Sequence, residues 1–561
     1  MRRVWAERIW LAAAVAVTLG ILGFYATRLF MPLPIFASDE AAYLIRALYP
    51  NGMVATLNPS VAPAENGVHL SVIRALYELG APFIVADRMV DAAAYLGGLL
   101  LVWRACAAKG PPAQRWNLLL LALAFPYWRF AGSNLAEGLY VGVLALICLA
   151  SGRWLRSRPL VHALAAGALC AVLVLVKPNG LAVIAGLAGL AVLEAVASGD
   201  WRRLPLRGLL FAAVFFPLGN LIQIAAEAPP THPLAFFVAE NYAAITGAPT
   251  PPQGLQTGLL ALGAMISAVA VLAGIPILTA LADLIERWRT RAGRFEAAPG
   301  DAVFLLLLLS LAATLAMVSL FALRVAWSPE QTGRLWGRYF EFFVPLLWLA
   351  AAPALARPVG ARLRWACAAV MFVGLSGLLA SLQAGIVLFP WDSSILTAFF
   401  HPDPVRAPLG VVTPYRALAA AATLATALAV GLRARPSQAG LALLLALGVL
   451  STWLDHVWLG PVVAQRDVMA RDLDAIRPAL PAGQIMLLAI DANHGHLGFL
   501  RLRARPRVLL GPPATTPVTD LATAQAVVTT AAQAPPGGPW IATYRGPTFS
   551  LYRHGPGATK R

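Results

Sequence analysis

Two adjacent carboxylates, Asp39 and Glu40, lie shortly after the first long apolar segment of this chain. A carboxylate held at a membrane surface can accept a proton from a hydroxyl group while that hydroxyl attacks, so either residue could act as a general base. The structural alternative is that acidic residues in the first turn of a helix stabilise it through the helix dipole. Adjacent helical side chains diverge by about 100°, so we expect one carboxylate to face the site and the other to support it.

Two further segments carry cations that could bind a phosphate group. Lys177 lies in Val176-Lys177-Pro178-Asn179-Gly180, and Arg334 and Arg338 lie in Gly333-Arg334-Leu335-Trp336-Gly337-Arg338-Tyr339-Phe340-Glu341. A guanidinium can hold a phosphate through two parallel hydrogen bonds, whereas an ammonium acts as a point charge. Structural alternatives stay open for both segments. Lys177 could snorkel from a turn, and Arg338 could pair with Glu341 or with a lipid headgroup.

The composition indicates that membrane helices position these residues. Of the 561 residues, 59% are hydrophobic and only 12% are charged, compared with roughly 25% charged in soluble domains. The mean hydropathy is +0.71, which leaves too little polar surface for a soluble protein of this size. We therefore predict an all-α polytopic membrane protein. The net charge of +17 is then no indication of nucleic-acid binding.

We predict about thirteen membrane-spanning helices, because each crossing needs about 20 mostly apolar residues. The predicted spans lie near 9–30, 83–106, 116–130, 135–151, 160–176, 180–198, 208–226, 256–282, 302–326, 338–356, 365–390, 415–432 and 438–459. The third and fourth spans are short and are separated only by Ala131-Gly132-Ser133-Asn134, which predicts a tight hairpin.

The arginine clusters predict the orientation, because basic residues concentrate in cytoplasmic loops. In the thirteen-span arrangement the clusters all fall on the side of the N-terminus, which predicts a cytoplasmic N-terminus and an external tail. The first external loop, about 31–82, is the longest between spans, and the external loop near 227–255 contains no Lys or Arg. The clusters are Arg2/Arg3/Arg8, Arg104/Lys109/Arg115, Arg153/Arg156/Arg158, Arg202/Arg203/Arg207, Arg287/Arg289/Arg291/Arg294, Arg357/Arg362/Arg364 and Arg433/Arg435.

The segment after about residue 460 is polar enough to fold in water. A helical pattern at Val468–Ile476 precedes a strand-like run at Gln484–Ile490. Alternating residues on both sides of Arg545-Gly546-Pro547 predict a β-hairpin. These patterns predict a transmembrane domain over residues 1–460 and a small external α/β domain over residues 461–561.

This layout resembles the GT-C superfamily of polyprenyl-phosphate-sugar-dependent membrane glycosyltransferases, over roughly residues 1–460. The resemblance rests on one N-terminal span, the Asp39-Glu40 pair that opens a long first external loop with surface helices, and many further spans. It implies that Asp39 is the catalytic base, with Glu40 beside it. It also implies that Glu137 is the acidic residue of the outer hairpin after the third span, and that Arg338-Tyr339 is the Arg-Tyr pair that opens a late span.

The resemblance implies an inverting transferase that moves a sugar from a polyprenyl-phosphate donor to a hydroxyl group of a glycan, lipid or protein acceptor. The reaction would take place at the periplasmic face of the bacterial inner membrane, and Lys177, Arg338 and Arg334 would stabilise the departing phosphate. We predict no metal site, because the sequence shows no sufficient ligand set. A divalent cation near Asp39 stays open as a cofactor, since some GT-C-like enzymes hold one.

The alternative function is a transporter or flippase for lipid-linked sugars or small solutes. Transporters tend to have internal repeats and broken helices with polar residues near the bilayer midplane. This chain shows no internal repeat, and its ionisable residues concentrate at the outer interface. An O-antigen polymerase or ligase is a third interpretation, but such a protein would be expected to have its large loop late in the chain. No nucleotide-binding motif occurs, which favours a lipid-carried donor.

Two other groups of residues are interpreted as structural. Asp87 and Asp91 flank Arg88 at the outer end of the second span, which predicts a local ion pair. His494 and His496 have the spacing of a strand or loop metal site but lack a third ligand, so we predict a surface loop there.

Overall fold

The computed structural model is predominantly helical. It describes residues 2–35, 39–48, 66–108, 110–226, 254–290, 299–325, 334–388, 392–399, 414–481, 485–489, 492–502, 507–510, 524–530, 535 and 540–554. The α-helices are α1 (Arg2–Leu29), α2 (Asp39–Leu48), α3 (Gly67–Glu78), α4 (Phe83–Val102), α5 (Pro112–Ala124), α6 (Trp128–Ala131), α7 (Glu137–Trp154), α8 (Pro159–Val176), α9 (Gly180–Ser198), α10 (Arg203–Ala225), α11 (Gly254–Thr290), α12 (Pro299–Val325), α13 (Phe343–Ala350), α14 (Ala352–Leu355), α15 (Ala361–Gln383), α16 (Pro414–Gly431), α17 (Pro436–Ile476) and α18 (Ala492–Leu502).

Ten helices in the described ranges are long and apolar enough to cross a membrane, so the chain is an integral membrane protein. The predicted spans near 116–130, 338–356 and 415–432 are not among these ten. The first corresponds to α5, which has 13 residues, and the second to α13, which has 8 residues and is followed by the short α14. A helix of 13 residues extends about 20 Å, less than the roughly 30 Å of a hydrocarbon core. The number of thirteen spans stays a prediction.

The predicted tight hairpin at Ala131-Gly132-Ser133-Asn134 is wrong. Helix α5 already ends at Ala124, and a connection that includes the short α6 leads to α7. Helix α7 packs along α4 instead of returning along α5. The approach is close because a Cβ atom at Gly138 would lie 2.0 Å from the carbonyl oxygen of Asp91. Small residues allow this kind of close helix contact within membranes.

Helices α2 and α3 form part of the long first loop, as the sequence predicts. Helix α3 packs against α2, α4 and α8. In α2 the residues from Glu40 to Ile45 are buried without interruption, so this helix is enclosed by its neighbours at its N-terminal end. The loop near 227–255 lies almost entirely outside the described residues.

A five-stranded sheet forms the C-terminal unit, in agreement with the predicted small α/β fold. Its strands are β1 (Ile485–Ala489), β2 (Arg507–Leu510), β3 (Ala526–Thr530), β4 (Trp540–Arg545) and β5 (Phe549–His554), in the order β2-β1-β3-β5-β4. Strand β1 pairs in parallel with β2 and β3, with Leu487 opposite Val508 and Val528. Strands β4 and β5 form the predicted antiparallel hairpin.

Helix α17 joins the membrane region to this sheet without interruption. It has 41 residues and therefore continues through residue 460, where the sequence predicts the domain boundary. Near its end, Asp472 accepts hydrogen bonds from the backbone N–H groups of Thr548 at 2.7 Å and Phe549 at 3.1 Å, and so anchors the hairpin.

Helix α18 packs against both α17 and α2, which places the C-terminal unit directly on the helix that begins with Asp39. His494 and His496 belong to α18, so the predicted surface loop is wrong. His496 is buried, because the tail folds its first helix back between the sheet and α2. The described residues contain no group of three or more His, Cys, Asp or Glu side chains that could hold a metal ion.

Candidate active site

Asp39 is the first residue of α2 and forms an ion pair with Arg338. The distance from Arg338 Nη1 to Asp39 Oδ2 is 3.0 Å, and the two side chains are 9% and 21% exposed, respectively. The sequence offered Glu341 as one possible partner of Arg338. Glu341 instead accepts hydrogen bonds from the Ser393 and Ser394 hydroxyl groups and from the Ser394 backbone N–H.

The backbone on both sides of Arg338 is fixed. The Arg338 N–H group donates to the carbonyl of Asp392 at 2.5 Å, and its own carbonyl accepts a hydrogen bond from the Tyr127 hydroxyl at 2.9 Å. A Cβ atom at Gly337 would lie 2.6 Å from Glu341 Oε1 and 2.8 Å from Ser393 Cβ. Position 337 therefore requires glycine, because the polypeptide passes directly over the buried Glu341–Ser393 contact.

A second ion pair lies next to the first. Lys177 Nζ donates to Glu137 Oε1, and Arg338 Nε lies 4.0 Å from the same oxygen. Glu137 opens α7 and Lys177 follows the last residue of α8, so the termini of two membrane helices position this pair. In the part of the chain that the structure describes, Glu137 Oε2 and Arg338 Nε have no hydrogen-bond partner. These two polar atoms can therefore bind a ligand.

Tyr339 lies beside both cations. Its hydroxyl oxygen accepts a hydrogen bond from Arg338 Nη2 at 3.3 Å, and its ring centroid lies 5.2 Å from Lys177 Nζ. Cations positioned over an aromatic ring are attracted by its electron density. The structure thus brings together five of the residues that the sequence singles out: Asp39, Glu137, Lys177, Arg338 and Tyr339.

Arg334 is close to this group, but Asp392 binds its guanidinium. Arg334 Nε lies 2.8 Å and 2.7 Å from the two carboxylate oxygens of Asp392, and the guanidinium carbon lies 3.9 Å from the centroid of the Trp336 ring. Asp392 is fully buried. These contacts attach the segment that carries Arg338 to the loop at residues 392–394.

Glu40 points away from Asp39, as the helix geometry predicts. Its Oε2 atom accepts hydrogen bonds from the Asn134 backbone N–H at 3.1 Å and from Arg88 Nη2 at 3.4 Å. Arg88 also donates to the carbonyls of Met31 and Leu33 at 2.8 and 3.0 Å, so it fixes the chain between α1 and α2. Glu40 is fully buried, and its contacts with Arg88 and Asn134 hold the start of α2 in place. Its cation partner is Arg88, whereas Asp39 pairs with Arg338.

The predicted local ion pair among Asp87, Arg88 and Asp91 is wrong, because the three side chains have different partners. Asp87 contacts His69 Nε2 at 3.2 Å, whereas Arg88 turns towards Glu40. Asp91 accepts hydrogen bonds from the backbone N–H groups of Gly138 and Leu139 and so satisfies the free donors at the start of α7.

Tyr43 is a further residue of this site, near Glu137, Asp39 and Arg338, that the sequence did not single out. It lies four residues after Asp39, on the same face of α2, and this spacing was the signal available in the sequence. Burial raises the pKa of the Tyr43 phenol well above its ordinary value, and the nearby carboxylates of Glu137 and Asp39 raise it further. Tyr43 is therefore a neutral hydroxyl at physiological pH and can donate a hydrogen bond.

Two opposing effects determine the charge of Asp39. Burial, the largest contribution, raises the pKa of this carboxyl, but the charge and hydrogen bond of Arg338 lower it, with smaller contributions from Arg334 and Lys177. The result is a pKa below the ordinary value of aspartate. Asp39 is thus ionised at neutral pH and can accept a proton, although its pairing with Arg338 weakens it as a base.

The arrangement brings two cations, Arg338 and Lys177, next to two carboxylates, Asp39 and Glu137. Arg338 and Lys177 could hold a phosphate group, while Asp39 could receive a proton at an adjacent position. The site fits a divalent cation poorly, because Asp39 and Glu137 are each compensated by a basic side chain.

Comparisons with known proteins support the fold. No family model matches the sequence, and no curated protein matches it. Among solved structures, ArnT from Cupriavidus metallidurans bound to undecaprenyl phosphate matches with a TM-score of 0.56 and 19% identity, over 98% of this chain and 98% of that chain. The same protein in the apo state matches with a TM-score of 0.53 and 20% identity, over 98% and 100% of the two chains.

The arabinosyltransferase EmbB from Mycobacterium smegmatis is also similar, with a TM-score of 0.43, 15% identity, and coverage of 82% of this chain and 41% of that chain. The match to ArnT extends over nearly the whole length of both chains, including the C-terminal unit. The predicted resemblance to the GT-C superfamily is therefore confirmed at the level of the fold.

Proposed function

We propose that this chain is an inverting glycosyltransferase that moves a sugar from a polyprenyl-phosphate donor to an acceptor hydroxyl at the periplasmic face of the bacterial inner membrane. The observation that carries the proposal is the ion pair between Asp39 and Arg338, with the Lys177–Glu137 pair beside it. The GT-C fold adds support, since a protein with the same fold was crystallised with undecaprenyl phosphate.

In the proposed reaction the acceptor oxygen attacks the anomeric carbon of the sugar from the face opposite the phosphate. The bond between that carbon and the phosphate oxygen breaks, and its electron pair leaves with the polyprenyl phosphate. The proton of the acceptor hydroxyl passes to Asp39. A single displacement of this kind inverts the configuration at the anomeric carbon.

Arg338 has two partners in this scheme. Without donor it pairs with Asp39, and with donor it turns part of its guanidinium to the phosphate. Loss of the Arg338 contact raises the pKa of Asp39, because burial then outweighs the remaining attraction. Donor binding therefore converts Asp39 into a stronger base at the moment when a base is needed.

Lys177 and Arg338 stabilise the negative charge that grows on the phosphate as the bond breaks. Stabilisation of such developing charge by preorganised groups is usually the largest catalytic contribution. Glu137 holds Lys177 in place, and the hydroxyl of Tyr339 holds Arg338. No metal step is part of this proposal.

The experiment that tests the proposal is transfer in vitro from a panel of radiolabelled polyprenyl-phosphate sugars, with the wild type beside Asp39→Asn. We expect the wild type to release polyprenyl phosphate and to label an acceptor with one member of the panel. A folded wild-type protein that binds or moves such lipids across vesicles without any transfer would instead support the flippase alternative.

A further inference from the structure

A cavity of about 460 Å³ lies at the opposite end of the bundle from Asp39. Four arginines line it, and we call it the arginine cavity: Arg357, Arg364, Arg433 and Arg435. Arg435 contacts Glu7 near the start of α1 at 3.4 Å, whereas the site lies beyond the end of α1 at Leu29. The helix between Glu7 and Leu29 extends about 33 Å, so the cavity and the active site are separate.

Three helices begin at the arginine cavity. Residues from the first turn of α5, α15 and α17, or directly before it, line the cavity. Each helix contributes free backbone N–H groups and about half a positive charge at its N-terminus. None of the three has an acidic residue in its first turn, and no acidic side chain lines the cavity within the described residues. The cavity is therefore strongly positive.

Two buried polar side chains line this cavity without a partner. Asn117 is 4% exposed and Ser437 is 5% exposed. Neither side chain makes a hydrogen bond to another residue in the described ranges. Both line the cavity, so a polar ligand that enters it can complete the hydrogen bonding of the amide and the hydroxyl.

Two of the arginines are available to such a ligand. Arg357 pairs with Asp283, and Arg435 pairs with Glu7. Arg364 reaches only the Val359 carbonyl, at 3.4 Å, and its Nε atom is buried with no hydrogen-bond partner among the described residues. Arg433 has no ion pair within the described ranges, and its φ of 98° lies in the left-handed region that favours glycine.

We propose that the arginine cavity binds a phosphate group, supplied either by the headgroup of an anionic phospholipid or by free phosphate. Arg364 and Arg433 would contact the phosphate oxygens, and the side chains of Asn117 and Ser437 would donate hydrogen bonds to the same phosphate. Basic pockets between membrane helices bind anionic lipid headgroups in this way. The site is independent of the proposed transfer reaction, because it lies at the other end of the bundle.

The test measures binding of dioleoyl-phosphatidylglycerol and of inorganic phosphate to the purified full-length protein in neutral detergent, with phosphatidylcholine as the lipid control. The variants are Arg364→Ala, Arg433→Gly and Asn117→Leu. We expect each to weaken binding of the preferred probe at least about tenfold, since each removes a hydrogen bond to a phosphate. Arg433→Gly relieves the left-handed backbone, so its thermal stability without ligand should not fall.

Arg362→Ala is the matched control, because Arg362 lies in the same first turn of α15 but does not line the cavity. It should bind both probes like the wild type. Tighter binding of phosphatidylglycerol than of inorganic phosphate supports a lipid source, and the reverse order supports a soluble one. If Arg364→Ala and Arg433→Gly bind both probes as tightly as Arg362→Ala, the cavity is not a phosphate site.

Discussion

Arg338 Nη1 lies 3.0 Å from Asp39 Oδ2 and joins two segments that are 299 positions apart in the chain. This contact links helix α2 to a turn in the second half of the protein. Hydrogen bonds hold both the N–H and the carbonyl group of Arg338. Its ion pair with Asp39 therefore also fixes the position of the first residue of α2.

The first prediction concerns Asp39→Asn. The amide keeps the shape of the side chain but cannot take up a proton, so we expect transfer to slow by about 10²–10⁴-fold. The amide oxygen can still accept the hydrogen bond from Arg338, so the protein should still fold, but it should melt below the wild-type temperature because the largely buried guanidinium loses its opposite charge. Near-normal turnover of the Asn variant would leave Asp39 with a structural role alone. Glu40→Gln is the internal control and should be less impaired in turnover.

The second prediction concerns the pH dependence of transfer in Arg338→Ala. Because the pKa of Asp39 is lowered, chiefly by Arg338 acting against burial, Asp39 is ionised in the wild type throughout the neutral range. Without Arg338 the burial effect dominates, and the acid limb of the kcat/KM profile should move to higher pH. Arg338→Lys should restore only part of the activity, because the single nitrogen of lysine cannot form the two parallel hydrogen bonds of a guanidinium. An unchanged acid limb would show that Arg338 does not control Asp39.

The same pairing determines when Asp39 contributes to stability. Its folded pKa is lowered, so the ion pair stabilises the protein above the unfolded pKa of about 3.9 and is lost only as the pH falls through the lower folded value. The contribution of Asp39 to wild-type stability should therefore be constant between pH 6 and 8, whereas Arg338→Ala should lose stability as the pH rises from the unfolded pKa towards the raised folded pKa of Asp39. Thermal melting of both proteins between pH 4 and 8 measures this effect, and a difference in melting temperature that does not widen with pH in this range would show that Arg338 does not control the ionisation of Asp39.

The third prediction concerns the buried pair of Arg88 and Glu40. Arg88→Met leaves the Glu40 carboxylate buried without its cation, which typically costs about 3–5 kcal/mol. The double variant Arg88→Met/Glu40→Gln should recover part of that loss, since no charge is then left unpaired. Thermal unfolding of the four proteins in one detergent measures the coupling. If the stability losses of the two single variants simply add in the double variant, Arg88 and Glu40 are not coupled, and the ion pair does not stabilise the protein.

The fourth prediction concerns Gly337→Ala. The added methyl group would meet Glu341 Oε1 at 2.6 Å, so the turn that carries Arg338 must move. We expect a raised KM for donor, with a smaller effect on thermal stability. Gly263→Ala is the control, since a Cβ atom there meets nothing within 4 Å. Equal activity of both variants would show that the position of Arg338 tolerates displacement.

The fifth prediction concerns topology. Reporter fusions at about residues 158, 292 and 435 should score cytoplasmic, and fusions near residues 60, 240 and 480 should score external, because the arginine clusters follow the cytoplasmic side. A cytoplasmic score at residue 480 would contradict both the orientation and a periplasmic reaction.

The sequence predicts much of the fold because apolar length and strand alternation are local signals. The hairpin at Arg545-Gly546-Pro547 and the strand at Ile485–Ala489 depend on such signals and are confirmed. The path between α5 and α7 was mispredicted, because the choice of α4 as the partner of α7 depends on Gly138 and on distant packing.

Within the site, residue types in the sequence indicated which side chains carry charge but did not indicate their partners. Glu341 was a reasonable partner for Arg338 at three residues' distance, yet it binds the serines of a loop more than fifty positions away. Asp392 and Arg88 gave no local signal for their roles, because their contacts are formed only when distant segments of the chain meet.

The length of α17 sets both the height and the rotation of the C-terminal sheet. Its 41 residues correspond to about 61 Å, roughly twice the hydrocarbon thickness, so one continuous helix sets the distance between the membrane region and the sheet. One inserted residue would raise the sheet by about 1.5 Å and rotate it by about 100°. The hairpin anchor at Asp472 and the contact of α18 with α2 would then no longer face the same direction. The length of α17 therefore fixes both the distance and the rotation of the sheet relative to Asp39, the first residue of α2.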